Sequence, residues 1–257
     1  MLDIFYLDDQ FKFELVKKNS FYVLASNGLF FYRKMKFFTS LTPVFLPAKK
    51  QSIGQLQAAK PFVMLNLPKK IPNTIFGQAL SFFCEVFSKF GGSEAVVLIY
   101  WNSLTEEYDL RCPKQEVGIG YISSYEVGPN PPNCLRLGTI HSHGSMAAFH
   151  SGVDDKDEEC DDGIHITIGT INSLPSISCS VVVSGERFEI SEKDIFEYPN
   201  VGQHDLQWIK SVKKVAAVSY YGKNKAVAGK GNSKISSSDL GELPLGKCVP
   251  ENYGQEG

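Results

Sequence analysis

The chain has 257 residues, 43% of them hydrophobic, enough for one large domain or a domain with a smaller companion. No run of about 18 apolar residues lacks a charge, which argues against a membrane span. The early acids of MLDIFYLDDQ leave no apolar core for a signal peptide. Net charge is −2 but unevenly spread: residues 1–72 carry +7, 73–221 carry −10 and 222–257 carry +1. Two oppositely charged solvated surfaces are the plain reading. A basic N-terminal part docking onto an acidic partner or nucleic acid is the sharper one, and no aromatic–basic RNA motif backs it. The six cysteines form no C-x-x-C pair and read as free thiols in a reducing cytoplasm.

Residues 1–60 read as short strands. FYVLAS, GLFFY and PVFLP are aromatic and β-branched, broken by the turn signal Asn27-Gly28. The stretch ending at Pro68-Lys69-Lys70-Ile71-Pro72 reads as a linker. Residues 73–90 then place Ile75, Phe76, Ala79, Leu80, Phe83, Val86, Phe87 and Phe90 at helical spacing on one face. Asn73 is the expected N-cap and Gly91-Gly92 the stop.

After Glu94, AVVLIYW is a continuous apolar run that suits a strand buried on both faces. EYDLRC and GIGYISSY are expected as further strands. A Pro/Asn loop (128–133) leads to LRLGTI, which ends at His141. IHITIGTI and SISCSVVVS add two more strands, and a helix is expected near 203–218. From about 222 the chain is Gly/Ser/Lys-rich and is expected to be disordered. AGKGNSK lacks phosphate-loop spacing, and no internal repeat is visible.

Three of the five histidines fall within ten residues: His141, His143 and His150. His141 and His143 are two apart at a strand end, and residues i and i+2 of a strand point to the same face. Both rings can reach one metal ion. Asp154 can return as a third ligand, leaving a fourth position for water, as catalytic zinc sites require. A nearby carboxylate can take that water's proton and pass it to a leaving amine. Ser151, three residues before Asp154, can meet an oxyanion. Ser-x-x-Asp before a helix is also a capping pattern, so a purely structural role for Ser151 stays open. His150 borders the site or is simply exposed. His165 reads as a satisfied structural histidine, Cys160 as a buried structural thiol, and the acidic run 154–162 as mostly a solvated helix face.

The spacing His-x-His, seven residues, Ser, two residues, Asp resembles the signature of the JAB/MPN (JAMM) metalloproteases, met here at His141, His143, Ser151 and Asp154. That family carries a catalytic Glu after a helix and at the start of a buried strand, the place Glu94 holds. The resemblance spans roughly residues 73–200. G-S-E-A-V-V-L-I-Y-W, I-H-S-H-G and F-H-S-G-x-D-D-x-D-E look closest to the bacterial JAB-domain proteins of PRTRC cassettes. Gly144 departs from the pattern, since the residue after the second His is often Pro; Gly is expected to loosen that loop.

The resemblance implies an α/β fold of the MPN/JAB (cytidine-deaminase-like) kind. It has a mixed, curved sheet flanked by helices. A β-rich extension (1–72) precedes the catalytic domain (73–221), and a tail (222–257) follows. It implies one Zn2+ ion on His141, His143 and Asp154, with Glu94 as base and Ser151 as oxyanion donor. It also implies a ubiquitin-like protein or its conjugate as substrate, and a ubiquitin-activating-type adenylyltransferase as a cassette partner. A non-catalytic scaffold that keeps the metal fold is the competing reading. Nucleic acid is disfavoured by the acidic core.

Overall fold

The structure, a computed structural model, describes residues 2–47, 55–197 and 206–215. They fall within one compact unit, Met1–Ala216. The chain opens with β1 (Ile4–Tyr6), β2 (Ser20–Ala25), β3 (Gly28–Lys34), β4 (Phe38–Phe45) and β5 (Phe62–Leu65), which form one sheet in that order. FYVLAS and GLFFY are present as β2 and β3, whereas PVFLP meets only the end of β4, which begins five residues earlier. Two more, β1 and β5, were not anticipated. Phe21, Val23, Phe30, Tyr32 and Leu41 fill one face of this sheet, while Phe37 and Phe38 pack into the larger core that follows.

The expected linker is not a free spacer. Ile71 is fully buried, its N–H donates to the Ile195 carbonyl at 2.7 Å, and its own carbonyl accepts from Glu197 N–H at 3.1 Å. An apolar side chain between two lysines and two prolines was enough to anchor the segment.

Helix α1 (Asn73–Lys89) buries the apolar face read from its spacing. Its cap differs from expectation. Pro72 takes the extended backbone of a cap (φ −62°, ψ 150°), so Asn73 is already helical. Gly91 and Gly92 end the helix at φ +62° and +82°, where a Cβ would be strained. Phe82, Phe83 and Val86 are fully buried, each worth roughly 1.5–3 kcal/mol.

There follow β6 (Val96–Asn102), β7 (Glu107–Arg111), β8 (Gln115–Gly118), β9 (Tyr121–Tyr125), β10 (Cys134–Ser142), α2 (Gly152–Glu158), β11 (Gly163–Gly169), β12 (Ser176–Val183), β13 (Glu186–Ile190), α3 (Glu192–Ile195) and β14 (Val212–Lys214). The main sheet has the order β13-β12-β11-β10-β6-β7. Only β10 and β11 run parallel, joined through α2. The architecture is mixed α/β, dominated by sheet. Among the described residues no helix is long and apolar enough to cross a membrane.

Two expectations fail locally. GIGYISSY is not one strand: Ile119-Gly120 turns the chain back, with Gly120 at φ +75°, to make the β8–β9 hairpin. The expected helix near 203–218 is instead a 3-10 segment (Leu206–Ser211) followed by β14, which pairs in parallel with β8; residues 203–205 and 216–218 lie outside the described residues. Val212 buries itself in the core from an extended backbone, as a β-branched residue prefers. The tail expected to be disordered also lies outside the described residues.

The main sheet has two unlike faces. Val97, Ile99, Ile140, Ile164, Ile166 and Ile168 share one cluster with α1. The alternate residues Thr139, His141, His165 and Thr167 are buried on the opposite face, with Thr139 beside His165 and His141 beside Thr167 in register. Gly138 makes this pairing possible: a Cβ there would sit 1.8 Å from the Ile164 carbonyl oxygen. Gly138→Ala should therefore force β10 from β11 and cost at least about 2 kcal/mol, at the upper part of the overpacking range. Urea denaturation of the variant against wild type checks this; an unchanged midpoint would show that the two strands give way easily.

Candidate metal centre

The end of β10 delivers the two histidines. His141 and His143 bring their Nε2 atoms to 3.3 Å of each other. Asp154, in the first turn of α2, reaches both: Oδ1 lies 3.5 Å from His141 Nε2, and Oδ2 lies 3.5 Å from His143 Nε2. One ligand atom from each of the three residues lies within 4.8 Å of the others, so the group could hold a metal ion. Glu94 and Ser151 line the same cleft of about 570 Å³. All five residues named from the sequence thus meet in one place.

The backbone around them is tied down. Between the two histidines, Ser142 Oγ accepts from Ala95 N–H at 3.0 Å, and Ser142 N–H donates to the Ala95 carbonyl at 2.9 Å. This fixes Glu94, one residue earlier, beside the metal group. Glu94 N–H donates to the Gly118 carbonyl at 3.2 Å, so the unexpected hairpin also sets its position.

The loop after His143 is not loose. Ile171 N–H donates to the Gly144 carbonyl at 3.0 Å, and Thr170 N–H to that of Met146 at 2.6 Å. Gly144 has φ +55°, which proline cannot adopt, so this loop takes a course that the commoner residue would forbid. Gly169 lets the loop lie on β11, since a Cβ there would be 2.2 Å from Ala148 N.

Ser151 is the N-cap of α2 in a reciprocal capping box. Its Oγ accepts from Asp154 N–H at 3.2 Å, and its N–H donates to Asp154 Oδ2 at 2.6 Å. Capping uses the Ser151 oxygen as acceptor, while the hydroxyl also hydrogen-bonds the Asp154 carboxylate, so a capped Ser151 meets an oxyanion only by turning that proton away from Asp154.

Charge in the cleft is arranged for a cation. Burial holds His141 below its ordinary pKa, against the opposing pull of Asp154 and Glu158, which favours the neutral, ligating ring. Burial alone would lower His143 too, but Asp154 and Glu94 hold it above its ordinary value. Burial would raise Asp154, yet hydrogen bonds from His143 and Ser151 and the His141 ring hold it well below the carboxylate range. Glu94 goes the other way. Burial pushes it up to about 7, with His143 opposing and Asp154 adding to the rise. Its Oε1 is buried with no hydrogen-bond partner among the described residues. Two imidazoles and a carboxylate, with an orphaned carboxyl beside them, match the donor chemistry of a divalent-ion site with an open position.

One member of the acidic run departs from the solvated face expected for most of it. Glu158 is buried at 4% exposure, not solvated, because it lies one helical turn after Asp154 on the same face. It bonds Arg187 Nη2 at 2.6 Å, and its pKa falls to about 2: burial alone would raise it, but His165, His141 and Arg187 outweigh that. The i, i+4 spacing from Asp154 was the available signal. His165 is a satisfied buried histidine, between Thr139 Oγ1 at 2.9 Å and the Asp161 carbonyl at 2.8 Å. His150 borders the site, its Nδ1 3.4 Å from Thr167 Oγ1. Cys84, Cys112, Cys134 and Cys179 are free thiols. Cys160 is disulfide-bonded and exposed, at the corner after α2, so neither the free-thiol nor the buried-thiol expectation describes it; Cys248 lies outside the described residues.

No family model and no curated protein matches the chain.

The raised Glu94 carries a stability cost whose sign is fixed. Above pH 7 the buried carboxylate is charged in the metal-free fold and penalised; below the ordinary carboxylate range it is neutral whether folded or unfolded, and the penalty is gone. Metal-free Glu94→Gln should exceed wild type by up to about 3 kcal/mol at pH 8, the gap closing as pH falls from 7 toward 4. Denaturant titrations at several pH values measure this. A gap that stays constant with pH would mean Glu94 is not desolvated.

Proposed function

We propose that the chain is a zinc-dependent metallopeptidase or isopeptidase with an MPN/JAB (JAMM) fold, acting at the C-terminal tail of a ubiquitin-like protein. The observation that carries this reading is the meeting of His141, His143 and Asp154 within 4.8 Å, beside a buried Glu94 with an orphaned oxygen. When bound, zinc supplies a Lewis acid that polarises a carbonyl and acidifies water near neutral pH.

The chain's own residues do the rest. Glu94 accepts a proton from the attacking water and returns it to the leaving amine. Ser151 turns its hydroxyl proton from Asp154 to the oxyanion. Asp154 is aimed by the Ser151 N–H, so the cap that starts α2 also orients a ligand. The ubiquitin-like substrate and the adenylyltransferase partner rest on the motif resemblance, and genes for both beside this one would support them. The net −10 of residues 73–221 opposes binding of nucleic acid.

Cleavage of a ubiquitin-like domain, either extended at its C-terminus or joined to lysine, is the direct assay. Glu94→Ala should lower the rate by roughly 10²–10⁴, and Ser151→Ala by about 10². A chelator should abolish cleavage and added zinc restore it. Cleavage that survives both chelation and Glu94→Ala would reject the reading, as would a zinc-loaded wild type inactive on both substrates.

A further inference from the structure

We propose that Glu158 is a positioning residue for the metal ligand His141, holding that ring by its far nitrogen. The inference rests on the metal reading above. Glu158 and Asp154 sit one turn apart on α2 and approach the same imidazole from its two sides. Asp154 Oδ1 lies 3.5 Å from Nε2, whereas Glu158 Oε1 lies 3.9 Å from Nδ1, a few tenths of an ångström beyond a hydrogen bond, so the ring and α2 must close slightly for the contact to form. A ring that gives Nε2 to a metal carries its proton on Nδ1, and that proton needs an acceptor to fix the tautomer and ring angle. Glu158 Oε1 is the carboxylate oxygen facing it.

The surroundings of Glu158 are built to keep it there. A buried carboxylate costs several kcal/mol unless paired, and this one is paired with Arg187. Arg187 on β13 donates to Oε2 at 2.6 Å and also bonds Ser180 on β12. His165 Nδ1 on β11 lies 3.3 Å from Oε1. The ring of His165 is itself fixed at Nε2 by the Asp161 carbonyl, 2.8 Å away. An uncharged residue would fill the same space on α2 without needing Arg187. Keeping a carboxylate in a buried position beside a ligand's second nitrogen has a purpose if it acts on that ligand. Helix α2 is then a two-pronged clamp, its first prong aimed by Ser151 and its second by Arg187.

The test compares wild type and Glu158→Gln for zinc affinity, by chelator competition, with histidine side-chain NMR of the zinc-loaded wild type. The glutamine variant should bind zinc 10- to 100-fold more weakly. In the wild type, His141 should carry a solvent-protected proton on Nδ1. That measurement does not depend on the variant folding, and the Nδ1 proton should show the downfield shift of a hydrogen bond to a carboxylate, which a merely structural Glu158 would not give. Equal affinities in a folded variant would overturn this inference while leaving the metal site intact. So would a His141 bound to zinc through Nδ1, or one lacking the protected proton. A wild type that binds no zinc would overturn both.

Discussion

A carboxylate set between two buried imidazoles is the contact on which the rest of this structure depends. His141 and His143 are 5% and 4% exposed, and Asp154 bridges them from a different element. Polar groups so far from water are costly unless each finds a partner. The features around the cleft supply those partners. Ser151 caps α2 and steadies Asp154, Ser142 ties the histidine strand to the Glu94 segment, and Arg187 neutralises Glu158. Glu94 Oε1, His143 Nδ1 and His150 Nε2 are buried without a hydrogen-bond partner among the described residues, and the raised pKa of Glu94 is a local instability kept inside the site. Groups whose pKa values are pushed apart in one cleft are a mark of acid–base chemistry.

The main sheet separates stability from chemistry by strand alternation alone. On β11, Ile164, Ile166 and Ile168 face α1 while His165 and Thr167 lie on the opposite face, beside Glu158 and His141. The apolar face provides the burial that offsets the polar one. Because β10 and β11 run parallel, the chain between them must cross over, and α2 is that crossover. The topology therefore returns Asp154 to the strand end from which the histidines leave. Gly138 and Gly169 are the points where backbones come too close for any side chain, one between the paired strands and one beneath the loop after His143.

Much of this was legible from the sequence because it is periodic or local. The i, i+2 spacing of His141 and His143 predicts a shared face, and the amphipathic pattern of 73–90 predicts α1. Glu94 was legible from its place between helix and buried strand. What escaped depends on contacts distant in sequence. The acids from 154 to 162 look alike in one dimension. Beyond its i, i+4 step from Asp154, it is the packing of α2 against β11 and β13 that sets Glu158 apart from its neighbours. The β8–β9 hairpin hides in GIGYISSY because a two-residue turn at Ile119-Gly120 interrupts the pattern only briefly. The 206–214 segment has helical spacing, but pairing with β8 offers Val212 a better place, and no local propensity reports that.

Zinc-edge X-ray absorption on the purified protein tests the central claim most directly. Two imidazole nitrogens and carboxylate or water oxygens at about 2.0–2.1 Å are predicted, with one imidazole lost in His141→Ala. A bound ion whose shell contains no imidazole, or a protein that retains no ion at all, would contradict the account.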